Sequence, residues 1–442
     1  MGAGGGERPC WGKKGRGRLK WSRSVQRDRG GGDMELLNVW RKFQVWGVPG
    51  VRNSLLRAIA WRRASRDLAC AAKQDAGTVS SRGLTLIGEF MQGASNSKTN
   101  RDFAYALRDA GIPFQTYSVD WACTVPREDF EPILTPRTAF RLHRYTHVVE
   151  MFRSPLPRGL VPRLARIAFW EGTRGMFEVW PFLRGTDALV AMSDFNRATF
   201  LANPDGAPVH KILYPLRPLD FDLPSDADVR DRFGIGREDF VVFFNFDFGS
   251  YCRKNPGAAI RAFAAALRDV PKTRLVFKVQ GASRHPREVA EVWRHAAEAG
   301  VSNQLTMIAD YLPHRLLYGL TATCDVYLSL HRGEGFGLGM AEAMMLGKPV
   351  VATDWSASTE FVRSGVAFPV PFRLVAVRPG EYFTSMGEWA EADVDAAASI
   401  LRRLFDNVDE RVEVGRRARA FVADHFSTKN FKASVEAFLD DM

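Results

Sequence analysis

The 442-residue chain lacks several common devices. Its five cysteines (Cys10, Cys70, Cys123, Cys252 and Cys324) are odd in number, scattered and without a C-x-x-C pair. That excludes a disulfide framework and a cysteine zinc site, and points to a reducing compartment. No apolar run approaches the ~18 residues that a membrane-spanning helix needs. Lys348 follows Gly347, but no glycine stands five residues before it and no Ser or Thr follows, so there is no P-loop. The G-x-G-x-x-G dinucleotide fingerprint is missing as well. His143 and His147 stand four apart, but Tyr145 to Phe152 reads as a strand, so a helical metal pair is not expected and no metal site is assigned.

Charge is unevenly placed. The net +11 lies entirely in residues 1–75, with 17 basic and six acidic side chains, while the remainder carries 44 of each. Residues 1–33 are rich in Gly, Arg and Lys and poor in apolar residues, so they should be disordered. No apolar core follows the charges as in a secretory signal. Met34 is the expected natural start, and no nucleic-acid module accompanies the tail. Residues 34–75 form an amphipathic basic extension, in which Trp40, Trp46 and Trp61 mix with Arg57, Arg62, Arg63 and Arg66. Such a segment suits an anionic membrane surface, or else packs on the body with solvated arginines.

From Gly83 the pattern is α/β. Leu84–Gly88 reads as a strand, Gly88–Lys98 as a polar turn, Thr99–Ala110 as a helix and Phe114–Val119 as a strand, which is half of a Rossmann-like unit. Further strands are expected at Arg166–Glu171 and Asp187–Ser193. Proline-rich residues 204–224 read as a linker. A first domain over 76–215, a second over 216–410 and C-terminal helices over 411–442 follow. In the second domain, strands are expected at 240–246, 274–280 and 305–308, and a helix at 388–405.

The densest chemistry lies between Thr323 and Arg363. Val326–Leu330 is an apolar strand, and Gly333, Gly335, Gly337 and Gly339 alternate with Glu334, Phe336 and Leu338. A helix is expected from about Gly339 to Leu346, with Gly347 as its left-handed end, before strand 348–353. Glycines permit close backbone approach, and the helix start offers free N–H groups to a phosphate. Glu334 and Glu342, with seven residues between them, would repel phosphate. Carboxylates of that kind suit hydroxyls, and phosphate with hydroxyls describes a nucleotide sugar. The bland alternative is a tight turn with solvated glutamates.

The run EGFGLGMAE, followed by GKPVVAT and Glu360, resembles the donor-site signature of family 4 glycosyltransferases (glycosyl transferases group 1) with the GT-B fold. The resemblance covers about residues 83–440. It implies two Rossmann-like domains facing a cleft and transfer of a sugar from a nucleotide-diphosphate sugar to a glycan or lipid-linked acceptor. It further implies retention, no obligatory metal and no cofactor. On this resemblance Glu334, Lys254 and Glu171 are the catalytic candidates. Arg253, Gly335, Phe336, Gly337, Leu338, Glu342, Tyr311 and Glu360 are the donor-binding candidates. Gly93, Ser95 and Lys98 belong to a sugar and acceptor loop. The chain departs from the pattern twice. Glu171 stands where many members have histidine, and Phe248 stands where a second basic residue is usual, with Arg253 or Ser250 as substitutes. A sugar-nucleotide epimerase, a phosphorylase and a non-catalytic nucleotide-sugar binder remain alternatives.

Overall fold

The computed structural model describes residues 55–71, 73, 81–93, 95–120, 122–127, 130–142, 144–151, 163–176, 183, 185–202, 207–219, 221–383 and 387–442. The tail, His143 and most of the basic extension lie outside the described residues.

The first sheet holds β1 (Ser81–Gly88), β2 (Phe114–Ser118), β3 (Tyr145–Met151), β4 (Leu164–Ile167), β5 (Ala188–Ala191) and β6 (Val209–Lys211) in the order β2-β1-β3-β4-β5-β6. The second holds β7 (Phe240–Asp247), β8 (Thr273–Gln280), β9 (Leu305–Ile308), β10 (Val326–Ser329), β11 (Val350–Thr353) and β12 (Phe368–Val370) in the order β12-β11-β10-β7-β8-β9. Both sheets are parallel throughout. Parallel sheets are covered on both faces, and the strands accordingly read as unbroken apolar runs such as Val326–Leu328 and Val350–Ala352, all buried. This is the expected GT-B, α/β architecture of two Rossmann-like sheets, with ligand chemistry placed at the carboxyl ends of the strands.

Several boundaries differ from expectation. The strand expected to reach Glu171 stops at Ile167, so Phe169–Glu171 forms a loop beyond its carboxyl end. Part of the expected linker is β6, which pairs with β5. The helix expected over 388–405 begins only at Val394, because Asp393 accepts bonds from the backbone N–H groups of Asp395 and Ala396. Glu388–Ala392 before it is instead strand β14, antiparallel to β13 (Phe372–Ala376), with Trp389 buried.

Helix 55–71 turns Trp61, Ala64 and Leu68 inward onto Ile87, Tyr117 and Val148 of the first sheet. Arg57 adds a two-toothed ion pair to the buried carboxylate of Glu89, at 2.6 and 2.8 Å. This half of the extension therefore packs on the body. The last helix, Thr428–Asp441, returns to the first domain. Phe431 meets Phe103 edge-on at 5.2 Å, and Arg82 pairs with Asp440 at 2.5 Å.

Candidate functional site

The cleft between the two sheets is built on the glycine loop after β10. Each glycine there answers a contact that a side chain would break. A Cβ on Gly333 would stand 2.4 Å from the Glu171 carbonyl, and one on Gly335 2.7 Å from Phe169 Cβ. The loop thus lies directly on the first domain. Gly337 has φ +99° and turns the chain into helix Leu338–Met345, and a Cβ on Gly339 would meet Asn245 and Tyr327 at 2.5 Å. The helix closes as expected, with Gly347 at φ +73°.

Glu334 is buried at the mouth of this loop. Lys254 Nζ lies 2.5 Å from Oε1 and Arg253 Nη1 3.2 Å from Oε2. Burial alone would raise its pKa, but Lys254 and Arg253 outweigh burial and hold the carboxyl at about 2. Lys254 ends the short helix Tyr251–Lys254, and its own pKa is lowered, by burial first. Arg253 also donates to the Gly333 carbonyl at 2.6 Å and approaches Glu171 at 3.8 Å. Arg253 therefore supplies the second cation at this end, and Phe248 is core, packed on Phe246 and Tyr251. Burial pushes the Glu171 carboxyl upward, with the Glu334 charge nearby adding to the push.

The second carboxylate, Glu342, accepts from the Tyr318 hydroxyl at 2.6 Å and pairs with Lys98 at 3.4 Å. Burial raises its pKa. Lys98 also holds Asp102 at 2.6 Å, and Asp102 accepts from the Tyr214 hydroxyl at 2.9 Å. Tyr214 in turn stacks on Phe336 at 4.3 Å. A chain of polar contacts so runs from the first domain to the helix behind the glycine loop. The loop after β1 is held by Asp120, which accepts from the N–H groups of Phe90 and Met91, and by Arg101, which donates to the Phe90 carbonyl.

The structure gathers Glu334, Lys254, Arg253, Glu171, Glu342, Gly335, Phe336, Gly337, Leu338, Tyr311, Gly93 and Lys98 around one cleft. Ser95 opens helix Ser95–Asp109, which begins four residues earlier than expected. Glu360 lies outside the cleft lining. Its carboxylate pairs with Lys211 at 2.7 Å, stands 3.3 Å from His425 and accepts from the Asp194 N–H at 3.1 Å. It is an interdomain clamp. Tyr318, Tyr214, Asn245 and Lys278 also line the cleft, and sequence reasoning did not single them out.

The clamp predicts a pH effect. Burial opposes ionisation of Glu360, but hydrogen bonds from His425, Lys211 and Asp194 hold it at about 2, as Lys254 and Arg253 hold Glu334. A depressed pKa gives stability that is complete above the ordinary carboxylate value near 4.5 and is lost as pH falls toward 2. Urea midpoints measured at pH 6 and pH 3 should therefore fall steeply for the wild type. Glu360→Gln should start lower and fall less.

Residues 245–404 match the family model described as glycosyl transferases group 1. Two curated proteins are similar. The lipopolysaccharide core biosynthesis mannosyltransferase LpsB of Rhizobium meliloti (strain 1021) is 27% identical over 219 residues, which is 49% of this chain and 60% of that protein. The putative glycosyltransferase EpsD of Bacillus subtilis (strain 168) is 26% identical over 190 residues, 41% of this chain and 46% of that protein. The match thus spans less than two thirds of either relative. Among solved structures, Anabaena Alr3699/HepE in complex with UDP and glucose superposes with a TM-score of 0.57 at 15% identity, over 82% of this chain and all of that one.

Proposed function

The chain belongs to the glycosyl transferases of group 1 and has the GT-B fold, and from that premise we propose that it moves a sugar from a nucleoside-diphosphate sugar to a glycan or lipid-linked acceptor. The carrying observation is the meeting of Glu334, Lys254, Arg253 and Glu171 at one mouth of the cleft, above the start of helix Leu338–Met345. The diphosphate takes the free N–H groups of that helix start. Lys254 leaves Glu334 for the phosphate and stabilises the charge that grows on the leaving group. Glu334, released, accepts the sugar hydroxyls. Glu342 with Tyr318 holds the ribose, and Tyr311 borders the base. Glu171 faces the transferred sugar from the first domain, where it orients a hydroxyl or takes the acceptor proton.

On this reading transfer retains the anomeric configuration, and Lys254 and Arg253 supply the charge that a metal would, so turnover should survive EDTA. The test is product analysis by NMR with a mixed glycan and glycolipid acceptor pool. Release of nucleoside diphosphate with a new glycosidic bond supports the reading. Conversion of the donor sugar without acceptor identifies an epimerase instead. LpsB is named for lipopolysaccharide core biosynthesis, which favours a cell-surface glycan as the product.

The outer face of helix 55–71 leaves Leu56, Ile59, Arg62, Arg63 and Arg66 exposed. Apolar residues beside arginines support peripheral contact with an anionic membrane. No helix among the described residues is long and apolar enough to cross one. At about 1 kcal/mol per basic residue, replacing these three arginines by glutamine should weaken sedimentation with phosphatidylglycerol vesicles by about a hundredfold. Equal sedimentation of the variant would remove the membrane from the account.

A further inference from the structure

The nucleoside end of the cleft holds a buried cation that the mechanism above does not use. Lys278 lies near the carboxyl end of β8, in register between Asn245 of β7 and Ile308 of β9. It lines the cleft, yet it is only 5% exposed. Its ammonium has three donors. One meets the Val279 carbonyl at 2.9 Å, and no other hydrogen-bond partner stands among the described residues. Burial pulls its pKa down against the attraction of Asp310 and Asp247. A buried ammonium with one backbone acceptor among the described residues keeps donor capacity for a further partner, and burial makes that partner worth more.

Position and charge identify that acceptor. The diphosphate end already has Lys254, Arg253 and the helix start, and the ribose position has Glu342 with Tyr318. The strands flanking β8 end at Asp247 on one side and, past Ile308, at Asp310–Leu312 on the other. Two carboxylates close to Lys278 disfavour a phosphate there and favour a neutral acceptor. At this end a nucleoside diphosphate offers ring nitrogens and carbonyl oxygens as neutral acceptors, and the carbonyl that stands where adenine and cytosine carry an amino group is the one that distinguishes bases. We propose that Lys278 donates to the exocyclic carbonyl of a keto base, uracil or guanine, and that it selects against adenine and cytosine, which carry an amino donor at that edge. This assignment rests on the donor-site reading given under Proposed function.

Calorimetric titration of the full chain with UDP, GDP, ADP and CDP tests it. One keto nucleotide should bind the wild type at least tenfold more tightly than either amino nucleotide. Lys278→Met keeps the length and removes the charge. It should weaken the keto nucleotide by about ten- to hundredfold, the span of a charge-assisted hydrogen bond, and leave the amino nucleotides within about twofold. Its ligand-free melting temperature should not fall, because an unsatisfied buried charge is gone. Lys278→Gln keeps a neutral donor and should retain part of the preference. Equal weakening of all four nucleotides, or an unchanged preference in Lys278→Met, overturns the assignment and leaves the donor site standing. Failure of all four, and of dTDP beside them, to bind the wild type overturns the donor site itself, and this assignment with it.

Discussion

On the proposed function, Lys254→Ala should lower kcat by about a hundredfold or more with any donor that the protein accepts. Loss of one preorganised donor at developing charge typically costs ~3 kcal/mol. Here two further effects follow. Among the described residues Glu334 then keeps Arg253, at 3.2 Å, as its ion-pair partner, so its pKa should rise from about 2. The buried carboxylate is then poorly compensated, which costs stability as well. The two effects separate in Lys254→Met with Glu334→Gln. That pair removes both charges, so stability should recover while activity stays low. Lys254→Arg is no rescue, since a planar guanidinium cannot replace a compact ammonium in a site already holding Arg253. Steady-state kinetics and urea melts on the same preparations check both statements. Near-wild-type turnover in Lys254→Ala would remove the lysine from the reaction.

Gly333→Ala should cost a comparable factor by a different route. Its new methyl would stand 2.4 Å from the Glu171 carbonyl, which is backbone and cannot swing aside. Relief comes from separating the glycine loop from Phe169–Glu171. The change adds a single methyl at the cleft, so destabilisation should stay within the ~1–3 kcal/mol of ordinary overpacking. The proposed catalytic constellation does not keep its geometry, because Glu171 and Glu334 belong to different domains. A misplacement near 1 Å can cost about a hundredfold in rate. Activity should therefore collapse while the fold persists. Gly365→Ala, where a Cβ would meet nothing within 4 Å but φ is +90°, separates backbone strain from this contact and should leave turnover near wild type.

The loop from Gly333 to Glu342 was legible because its constraint is local. Alternating glycines, a helix start and Gly347 lie within fifteen residues, and each performs the backbone task that its type implies. Lys254 was legible only through resemblance, as a basic residue before a helix. Glu360 misled for a physical reason. Its partners Lys211, His425 and Asp194 come from three remote segments, and nothing near residue 360 announces a clamp. The β13–β14 hairpin was lost because Glu388–Ala392 runs into a true helix, and only the Asp393 cap marks the change. Trp61 reads equally well as a membrane or a packing residue until Ala64 and Leu68 are seen to share its buried face. Lys278 did leave a trace, since it is a lone charge inside the apolar run Leu275–Val279.

The proposed donor site is tested most directly by thermal stabilisation of the full chain with a panel of UDP-, GDP-, ADP- and dTDP-sugars, with Glu342→Ala beside it. At a ligand concentration 100-fold above Kd, binding adds about 2.7 kcal/mol to stability. The account predicts a clear upward shift with sugars of one base, and its loss in Glu342→Ala. A folded wild-type protein that no nucleotide sugar stabilises, or a shift that survives in Glu342→Ala, would contradict it.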